Sequence, residues 1–201
     1  MQELWTQLGQ GWRSTSPIEI AAVVLALIYL VLAIREHIAC WAAAFASSCL
    51  YVLVLFQARL YMESALNIFY AAMAVYGYWQ WRGGKSAKPL HIGRWKWRRH
   101  LVGLAVVVAA SLLSSQALKA HTAAAWPFVD SMVTWSSAFA TFQVARKIYE
   151  NWHWWLIIDS VALYLYYTRH LFATMLLFAG YLVLIVFGMR EWRRSMVSIA
   201  A

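Results

Sequence analysis

The sequence predicts an all-α polytopic membrane protein with seven transmembrane helices, arranged as three, one and three in a parallel repeat. Its composition, its apolar runs and an internal repeat support this prediction. Of the 201 residues, 63% are hydrophobic and 12% are charged, which is about half the charged share of a typical soluble domain. Such a chain could not cover a globule with polar surface, so we exclude a soluble enzyme.

Seven apolar runs lie between clusters of charged residues. Runs of about 20 residues are long enough to cross the hydrocarbon core of a bilayer as helices. The first run lacks a small-residue cleavage site, so we expect it to remain in the protein and not to be removed as a signal peptide. The runs cover residues 18–34, 38–56, 64–81, 101–118, 128–145, 152–168 and 171–189.

The basic residues predict the orientation. The segment 82–100 between the third and fourth runs holds seven lysines and arginines, and such residues are retained on the cytoplasmic side. With this linker inside, 13 of the 17 basic residues lie in the inner segments. The N-terminus is then outside and the C-terminus is cytoplasmic. Topology alone then explains the net charge of +9, so we expect the lipid bilayer and no nucleic acid as a partner.

The second half of the chain repeats the first at an offset of 111 residues without a gap. A single fourth helix restores the orientation between two three-helix units, so the repeat is parallel. Parallel halves are a known transporter design, with the substrate site near mid-membrane between them. The tyrosine and glycine pairs indicate close helix packing in preference to hinges. The matched pairs are Arg35 and Arg146, Trp41 and Trp152, Tyr70 and Tyr181, Gly77 and Gly188, and Trp81 and Trp192.

These observations predict six segments. They are an extracytoplasmic N-terminus (1–17), a first three-helix repeat (18–82), a basic cytoplasmic linker (83–100), a connecting helix (101–118), a second three-helix repeat (119–193) and a cytoplasmic tail (194–201). Tryptophan favours the interface between headgroups and acyl chains, and six tryptophans fall at the ends of runs. We therefore expect an interfacial belt that contains Trp41, Trp79, Trp81, Trp126, Trp152 and Trp192.

Polar residues inside the predicted helices are the candidates for function, because an ionisable group in a membrane is costly unless it is paired or functional. Asn151, Trp155 and Asp159 follow at i, i+4 and i+8 and share one helix face. Asp159 is interpreted as functional, although helix packing could bring Arg146 or Lys147 to it as a partner.

The second aspartate, Asp130, is either functional or favourable at a helix N-terminus. On the same helix, Thr134 and Thr141 are expected to bond to carbonyls of their own helix. Asn67 and Tyr70 form another candidate face on the third helix. Under the repeat, Asn67 and Asn151 have apolar counterparts, as suits contact with an asymmetric substrate.

Motifs for catalysis are absent from the sequence. It contains no zinc-protease, nucleophile-elbow, Walker or dinucleotide-binding pattern and no ligand spacing for a metal. We therefore expect neither an enzyme nor an ATP-driven pump, with no catalytic residues, no metal and no cofactor.

Three segments resemble the PnuC family of vitamin transporters: "RKIYENWHWWLIID" (146–159), "WPFVDS" (126–131) and "NIFYAAMAVYGYWQW" (67–81). The resemblance extends from about residue 18 to 194. It implies a three-plus-one-plus-three fold related to the SWEET sugar carriers, often as a homotrimer. It also implies uptake of nicotinamide riboside across the bacterial inner membrane by facilitated diffusion, without ion coupling, with a cytoplasmic kinase that traps the vitamin.

The family's N-W-x-x-W motif falls on Asn151 and Trp155, whereas its third-helix glutamine is replaced here by Asn67. Because relatives also carry thiamine or riboflavin, this substitution leaves thiamine open as the substrate. Nicotinamide riboside and thiamine both contain a cationic ring, which aromatic faces attract. We assign ring stacking to Trp155 and Tyr70, hydrogen bonding to Asn151 and Asn67, and charge balance or helix pairing to Asp159. A vitamin-binding membrane sensor without transport is a remote alternative.

Overall fold

The computed structural model describes residues 16–57, 61–84, 90–121, 126–168 and 172–200. Most of the predicted N-terminal segment lies outside these residues. The described residues form seven α-helices, as predicted. They are α1 (Pro17–Ile34), α2 (Cys40–Gln57), α3 (Tyr61–Trp81), α4 (Trp97–His121), α5 (Pro127–Ala145), α6 (Asn151–Thr168) and α7 (Phe172–Ala200).

The two largest extensions beyond the apolar runs are in α4 and α7. Helix α4 begins at Trp97, four residues before the predicted start, and α7 continues to Ala200, past the basic residues at 190–194. Arginine and lysine are good helix formers, so a helix can continue through them after its apolar stretch has ended. The end of an apolar run therefore marks where hydrophobicity stops and not where the helix stops.

Four of the helices are long and apolar enough to cross a membrane by length and composition: α1, α2, α4 over Trp97–Ala120 and α7 over Met175–Val197. The other three, α3, α5 and α6, are less apolar, because asparagine, aspartate, serine, tyrosine and tryptophan lower their hydropathy. Several of these polar side chains face the interior of the bundle, where lipid does not reach them.

The helices pack as two three-helix units. In the first unit α2 lies against α1 and α3, and in the second α6 lies against α5 and α7. The units meet where α3 packs against α5 and where α1 packs against α7. Among the described helices, α4 packs against α5 alone. A phenylalanine of α5, Phe139, lies over Gly103 of α4, where a Cβ would overlap its ring.

Matching positions 111 residues apart adopt the same local structure. Helices α2 and α6 differ by this offset at both ends, and α3 and α7 differ by it at their starts. The Trp41 and Trp81 rings meet edge to face with their centroids 5.4 Å apart. The Trp152 and Trp192 rings repeat this geometry at 5.4 Å. The sequence matches therefore reflect equivalent packing in the two units.

Four of the six tryptophans predicted for an interfacial belt are instead buried in the core: Trp41, Trp81, Trp152 and Trp192. Only Trp79 and Trp126 are exposed. Glycine explains the difference, because a Cβ at Gly77 or Gly188 would overlap the indole that packs on it. The absence of a side chain at these two positions makes room for Trp41 and Trp152, which agrees with the packing interpretation of the glycine pair.

The end of the basic linker is attached to the second unit. The Gly93 N–H donates to the Lys147 carbonyl at 2.9 Å, and the Tyr149 N–H donates to the Gly93 carbonyl at 2.9 Å. The Glu150 carboxylate accepts a hydrogen bond from Arg94 Nε at 2.8 Å. These contacts hold residues 93–94 against the loop between α5 and α6, so this part of the linker is not a freely solvated segment.

Candidate functional site

A cavity of about 410 Å³ lies between the two units and is lined by six helices, all except α4. This volume lies within the range of roughly 300–1,000 Å³ that is typical of small-molecule sites. Its lining on α2 runs from Trp41 to Tyr51, a rise of roughly 15 Å at 1.5 Å per residue. The cavity therefore lies between the two units and extends from the linker-side helix ends, where Trp41 and Asn151 stand, towards the middle of α2.

All five predicted site residues line this cavity. Asn67 and Tyr70 come from α3, whereas Asn151, Trp155 and Asp159 come from one face of α6. The helical spacing in the sequence had already placed the three α6 residues together. Tertiary packing brings α3, which is about 80 residues earlier in the chain, to the opposite side of the same cavity.

Asn151 is the first residue of α6 and is fully buried. Its Nδ2 donates to the Ile148 carbonyl at 2.6 Å, whereas no described residue donates to its buried Oδ1. The buried indole N–H groups of Trp41 and Trp152, which also line the cavity, have no acceptor among the described residues. A buried polar group without a partner costs about 1–3 kcal/mol. A ligand with its own donors and acceptors could satisfy such groups.

Asp159 is buried to 6% exposure against the cavity. The two basic residues considered as alternative partners have other contacts: Lys147 Nζ pairs with Glu36 Oε2 at 2.8 Å, and Arg146 Nη1 donates to the Tyr76 hydroxyl at 3.3 Å. Helix packing therefore brings neither of these two cations to Asp159 as a partner. No described residue forms a hydrogen bond or ion pair with the carboxylate. A carboxylate in such a setting attracts a cation, because Coulomb interactions are stronger away from water.

The two α3 residues differ in their polar contacts. Asn67 Nδ2 donates to the Glu63 carbonyl of its own helix at 2.9 Å, which leaves the amide oxygen as an acceptor for the cavity. Tyr70 lines the cavity together with Ser137 of α5 and Asp159 of α6. Tyr70 of the first unit therefore shares the cavity with polar side chains of the second.

Sequence reasoning missed several aromatic and hydroxyl residues of the lining. Tyr181 and Ser48 also face the cavity, and the 111-residue offset could have indicated them, because they are equivalent to Tyr70 and Asp159. The offset gives no such signal for Tyr29 and Tyr51, which likewise line the cavity. Their equivalents in the second unit are alanines, so only the packing of α1 and α2 reveals them.

The remaining polar candidates have local roles. Thr134 Oγ1 donates to the Asp130 carbonyl at 2.9 Å, and Thr141 Oγ1 donates to the Ser137 carbonyl at 2.8 Å, as expected for hydroxyls in a membrane helix. Asp130 lies in the first turn of α5 and outside the cavity lining, which fits stabilisation of the helix N-terminus. Within the described ranges, no three histidine, cysteine, aspartate or glutamate side chains meet as metal ligands would.

Comparison with known proteins gives consistent matches over most of the chain. The riboflavin/roseoflavin transporter RibM of Streptomyces davaonensis is 29% identical over 180 residues, which cover 84% of this chain and 81% of that protein. The nicotinamide riboside transporter PnuC of Escherichia coli is 25% identical over 214 aligned positions, which cover 94% of this chain and 90% of that protein. These relatives are transporters and not enzymes.

The fold has a counterpart among solved structures. The crystal structure of the vitamin B3 transporter PnuC superposes with a TM-score of 0.73 at 20% identity, and the match covers 95% of this chain and 88% of that one. The family model described as nicotinamide mononucleotide transporter matches residues 16–194. The chain therefore belongs to the nicotinamide mononucleotide transporter family, the PnuC family of vitamin transporters.

Proposed function

We propose that this protein takes up nicotinamide riboside across the bacterial inner membrane by facilitated diffusion through the cavity between the two units. The observation that carries the proposal is the Asp159 carboxylate, which lines a cavity with nine aromatic residues and has no pairing contact to a described residue. A desolvated cation over an aromatic face gains about 2 kcal/mol. Nicotinamide riboside offers a pyridinium ring for this purpose, with amide and hydroxyl groups beside it.

Within this proposal, Trp155 and Tyr70 stack on the ring. Asn151 and Asn67 hydrogen-bond to the amide and hydroxyl groups, and Asp159 balances the positive charge. The lining supports these roles because it is asymmetric: Cys40 is the equivalent of Asn151 but lies outside the lining. A small molecule with different groups at its two ends fits such a cavity better than it fits a symmetric one.

We further propose that the two units are a parallel three-plus-one-plus-three repeat, related to the SWEET carriers, which rock against each other to expose the cavity to either side. The N-terminus lies outside and the basic linker in the cytoplasm. A cytoplasmic kinase traps the vitamin by phosphorylation, and the protein assembles as a homotrimer. These points follow from the charge distribution and the family resemblance. Uptake by this route requires no energy source of its own, because phosphorylation keeps the cytoplasmic concentration of the free vitamin low.

Two other vitamins are alternative substrates, because they suit a transporter of the same family. Asn67 in place of the family's glutamine leaves thiamine open as the substrate, and thiamine also contains a cationic ring. The 29% identity to a riboflavin transporter favours riboflavin, which has no cationic ring. A vitamin sensor without transport differs from all three because it would bind ligand and give no counterflow in liposomes.

Calorimetry on the purified protein with nicotinamide riboside, thiamine and riboflavin in parallel tests the proposal. We expect tight binding of nicotinamide riboside, followed by counterflow of the same vitamin in liposomes. Tight binding of thiamine alone would identify Asn67 as the specificity residue, whereas tight binding of riboflavin alone would contradict charge recognition by Asp159. Binding without counterflow would support the sensor.

The substitution Asp159→Asn tests charge recognition directly. It preserves size and removes the negative charge, so we expect affinity for a cationic vitamin to fall about tenfold or more, since each 1.4 kcal/mol corresponds to a factor of ten. Asp130→Asn is the matched control, because Asp130 lies outside the cavity lining. Unchanged affinity in Asp159→Asn, or an equal loss in Asp130→Asn, would contradict the role of Asp159.

A further inference from the structure

The end of the cavity next to the linker is closed by contacts between the two units. The loop after α1 carries Glu36, and the loop after α5 carries Lys147. Their side chains form an ion pair, with Lys147 Nζ 2.8 Å from Glu36 Oε2. The two residues are 111 apart in the chain and are thus equivalent positions in the two units. Equivalent residues in contact with each other must lie near the axis that relates the units.

Both residues have an unusual backbone conformation. The φ angle is 54° at Glu36 and 49° at Lys147, in the left-handed region that favours glycine. The Glu36 N–H donates to the Ala33 carbonyl at 3.1 Å, and the Lys147 N–H donates to the Val144 carbonyl at 2.9 Å, as at a helix C-terminus where glycine is the usual residue. A side chain in this conformation costs roughly 1–2 kcal/mol. Such strain at both positions points to a function for the two side chains.

Two hydrogen bonds cross between the units next to this ion pair. Trp81 Nε1 of the first unit donates to the Val144 carbonyl at 3.3 Å, and Trp192 Nε1 of the second donates to the Ala33 carbonyl at 3.0 Å. The two bonds are equivalent under the 111-residue offset. Lys147 Nζ also lies 4.6 Å from the centroid of the Trp81 ring. Because Ala33 and Val144 line the cavity, these contacts form its floor.

We propose that the ion pair of Glu36 and Lys147, together with Trp81 and Trp192, is the gate at the linker end of the cavity. The ion pair, the two indole hydrogen bonds and the contact of Lys147 with the Trp81 ring all join one unit to the other, so a rotation of the units about their common axis would break them together. The gate is closed in this structure, since Trp81 and Trp192 are 7% and 0% exposed. The inference goes beyond the identity of the vitamin and requires only that the protein is a transporter.

The chemistry of the gate suits repeated opening. When the units separate, the carboxylate and the ammonium are both hydrated, so the open state leaves no charge buried without a partner. A floor sealed only by apolar side chains would expose those side chains to water on each opening. The indole donors can likewise exchange their carbonyl acceptors for water at small net cost.

Thiol labelling tests the gate without knowledge of the vitamin. A single cysteine is introduced by Ala33→Cys in a background in which Cys40 and Cys49 are replaced by alanine. A membrane-impermeant maleimide is then applied from the linker side in vesicles of defined orientation. The closed gate should give slow labelling. Glu36→Lys places two like charges at the axis and should label about tenfold faster, as expected when the open state gains population.

The reciprocal variant Glu36→Lys with Lys147→Glu provides the decisive comparison. Because the two positions are equivalent, the exchanged pair can form the same contact, so labelling should return to the slow parental rate. Arg94→Gln is the matched control: it removes an ion pair with Glu150 at 2.8 Å that joins the linker to the second unit and does not cross between units. This control should label at the parental rate.

Three results would overturn the gate. They are unchanged labelling in Glu36→Lys, continued fast labelling in the exchanged double variant, and an equal increase in Arg94→Gln. If Glu36→Lys does not fold, Glu36→Gln serves in its place, with an expected increase of several-fold because the charge attraction is lost but the side-chain size is kept. Size-exclusion chromatography before labelling identifies the folded fraction. A calorimetric failure to bind the vitamin would contradict the proposed substrate and leave these labelling rates unaffected.

Discussion

Replacing Asn151 with leucine is expected to abolish vitamin binding while the protein still folds. Asn151 lies in the cavity lining with a buried amide oxygen to which no described residue donates. Leucine has a similar size but neither donates nor accepts, so a polar group of the vitamin would be buried without a partner. Losses of this kind reach factors of about 10⁴ where a site is built to hydrogen-bond its substrate. Calorimetry and uptake in liposomes both measure this loss.

Cys40→Ala is the matched control for this variant. Cys40 occupies the equivalent position in the first unit and is also fully buried, but it lies outside the cavity lining. We expect Cys40→Ala to bind the vitamin with parental affinity. The melting temperature of both variants in detergent separates a loss of folding from a loss of binding. Uptake at the parental rate in a folded Asn151→Leu variant would show that the site assignment is wrong.

A second large effect is expected from Gly188→Val, which should prevent accumulation of folded protein. A Cβ at position 188 would overlap the indole of Trp152, and valine adds two methyl groups beyond that. Trp152 is 1% exposed and packs edge to face on Trp192, so it has little room to move. Overpacking of a dense core costs typically 1–3 kcal/mol or more. Fluorescence-detected size-exclusion chromatography and melting in detergent measure the outcome.

Gly180→Val on the same helix is the control, because no described residue outside its own helix lies within 4 Å of a Cβ at Gly180. This variant should fold and melt as the parent does. The milder Gly188→Ala should lower the melting temperature, and Trp152→Phe in the same chain should recover part of the loss, since the smaller ring leaves space for the new methyl group. Normal folding of Gly188→Val would mean that the indole does not depend on this glycine for its space.

Sequence reasoning predicted the helices well and the environment of the tryptophans poorly. Each membrane-spanning segment must be apolar along its own length, because the bilayer surrounds it. All seven helices could therefore be located from apolar runs between clusters of charged residues. The position of Trp152 at a helix end predicted an interfacial residue, but Trp152 packs in the core on Gly188. Trp152 is buried because Gly188, 36 residues later in the chain, leaves space for its indole. Hydropathy along the sequence contains no information about such a contact.

The candidate site shows the same division. Helical spacing placed Asn151, Trp155 and Asp159 on one face, because 3.6 residues per turn is a local property of the chain. Tyr29 and Tyr51 could not be anticipated, since their inward direction depends on how α1 and α2 pack against the other helices. The ion-pair partner of Lys147 could not be predicted from the sequence either, because Lys147 pairs with Glu36 across the interface between the units.

The sequence alone predicted a membrane protein, the seven helices, the 111-residue offset and the shared α6 face of Asn151, Trp155 and Asp159, because hydrophobicity and helical periodicity are determined by nearby residues. Only the tertiary structure decided which faces meet. In the tertiary structure, Trp81 and Trp192 form hydrogen bonds between the units at the cavity floor, and α3 and α6 line the same cavity. The physical reason is that helix–helix packing depends on the shapes of side chains far apart in the chain, and space for an indole exists only where a glycine of another helix leaves it.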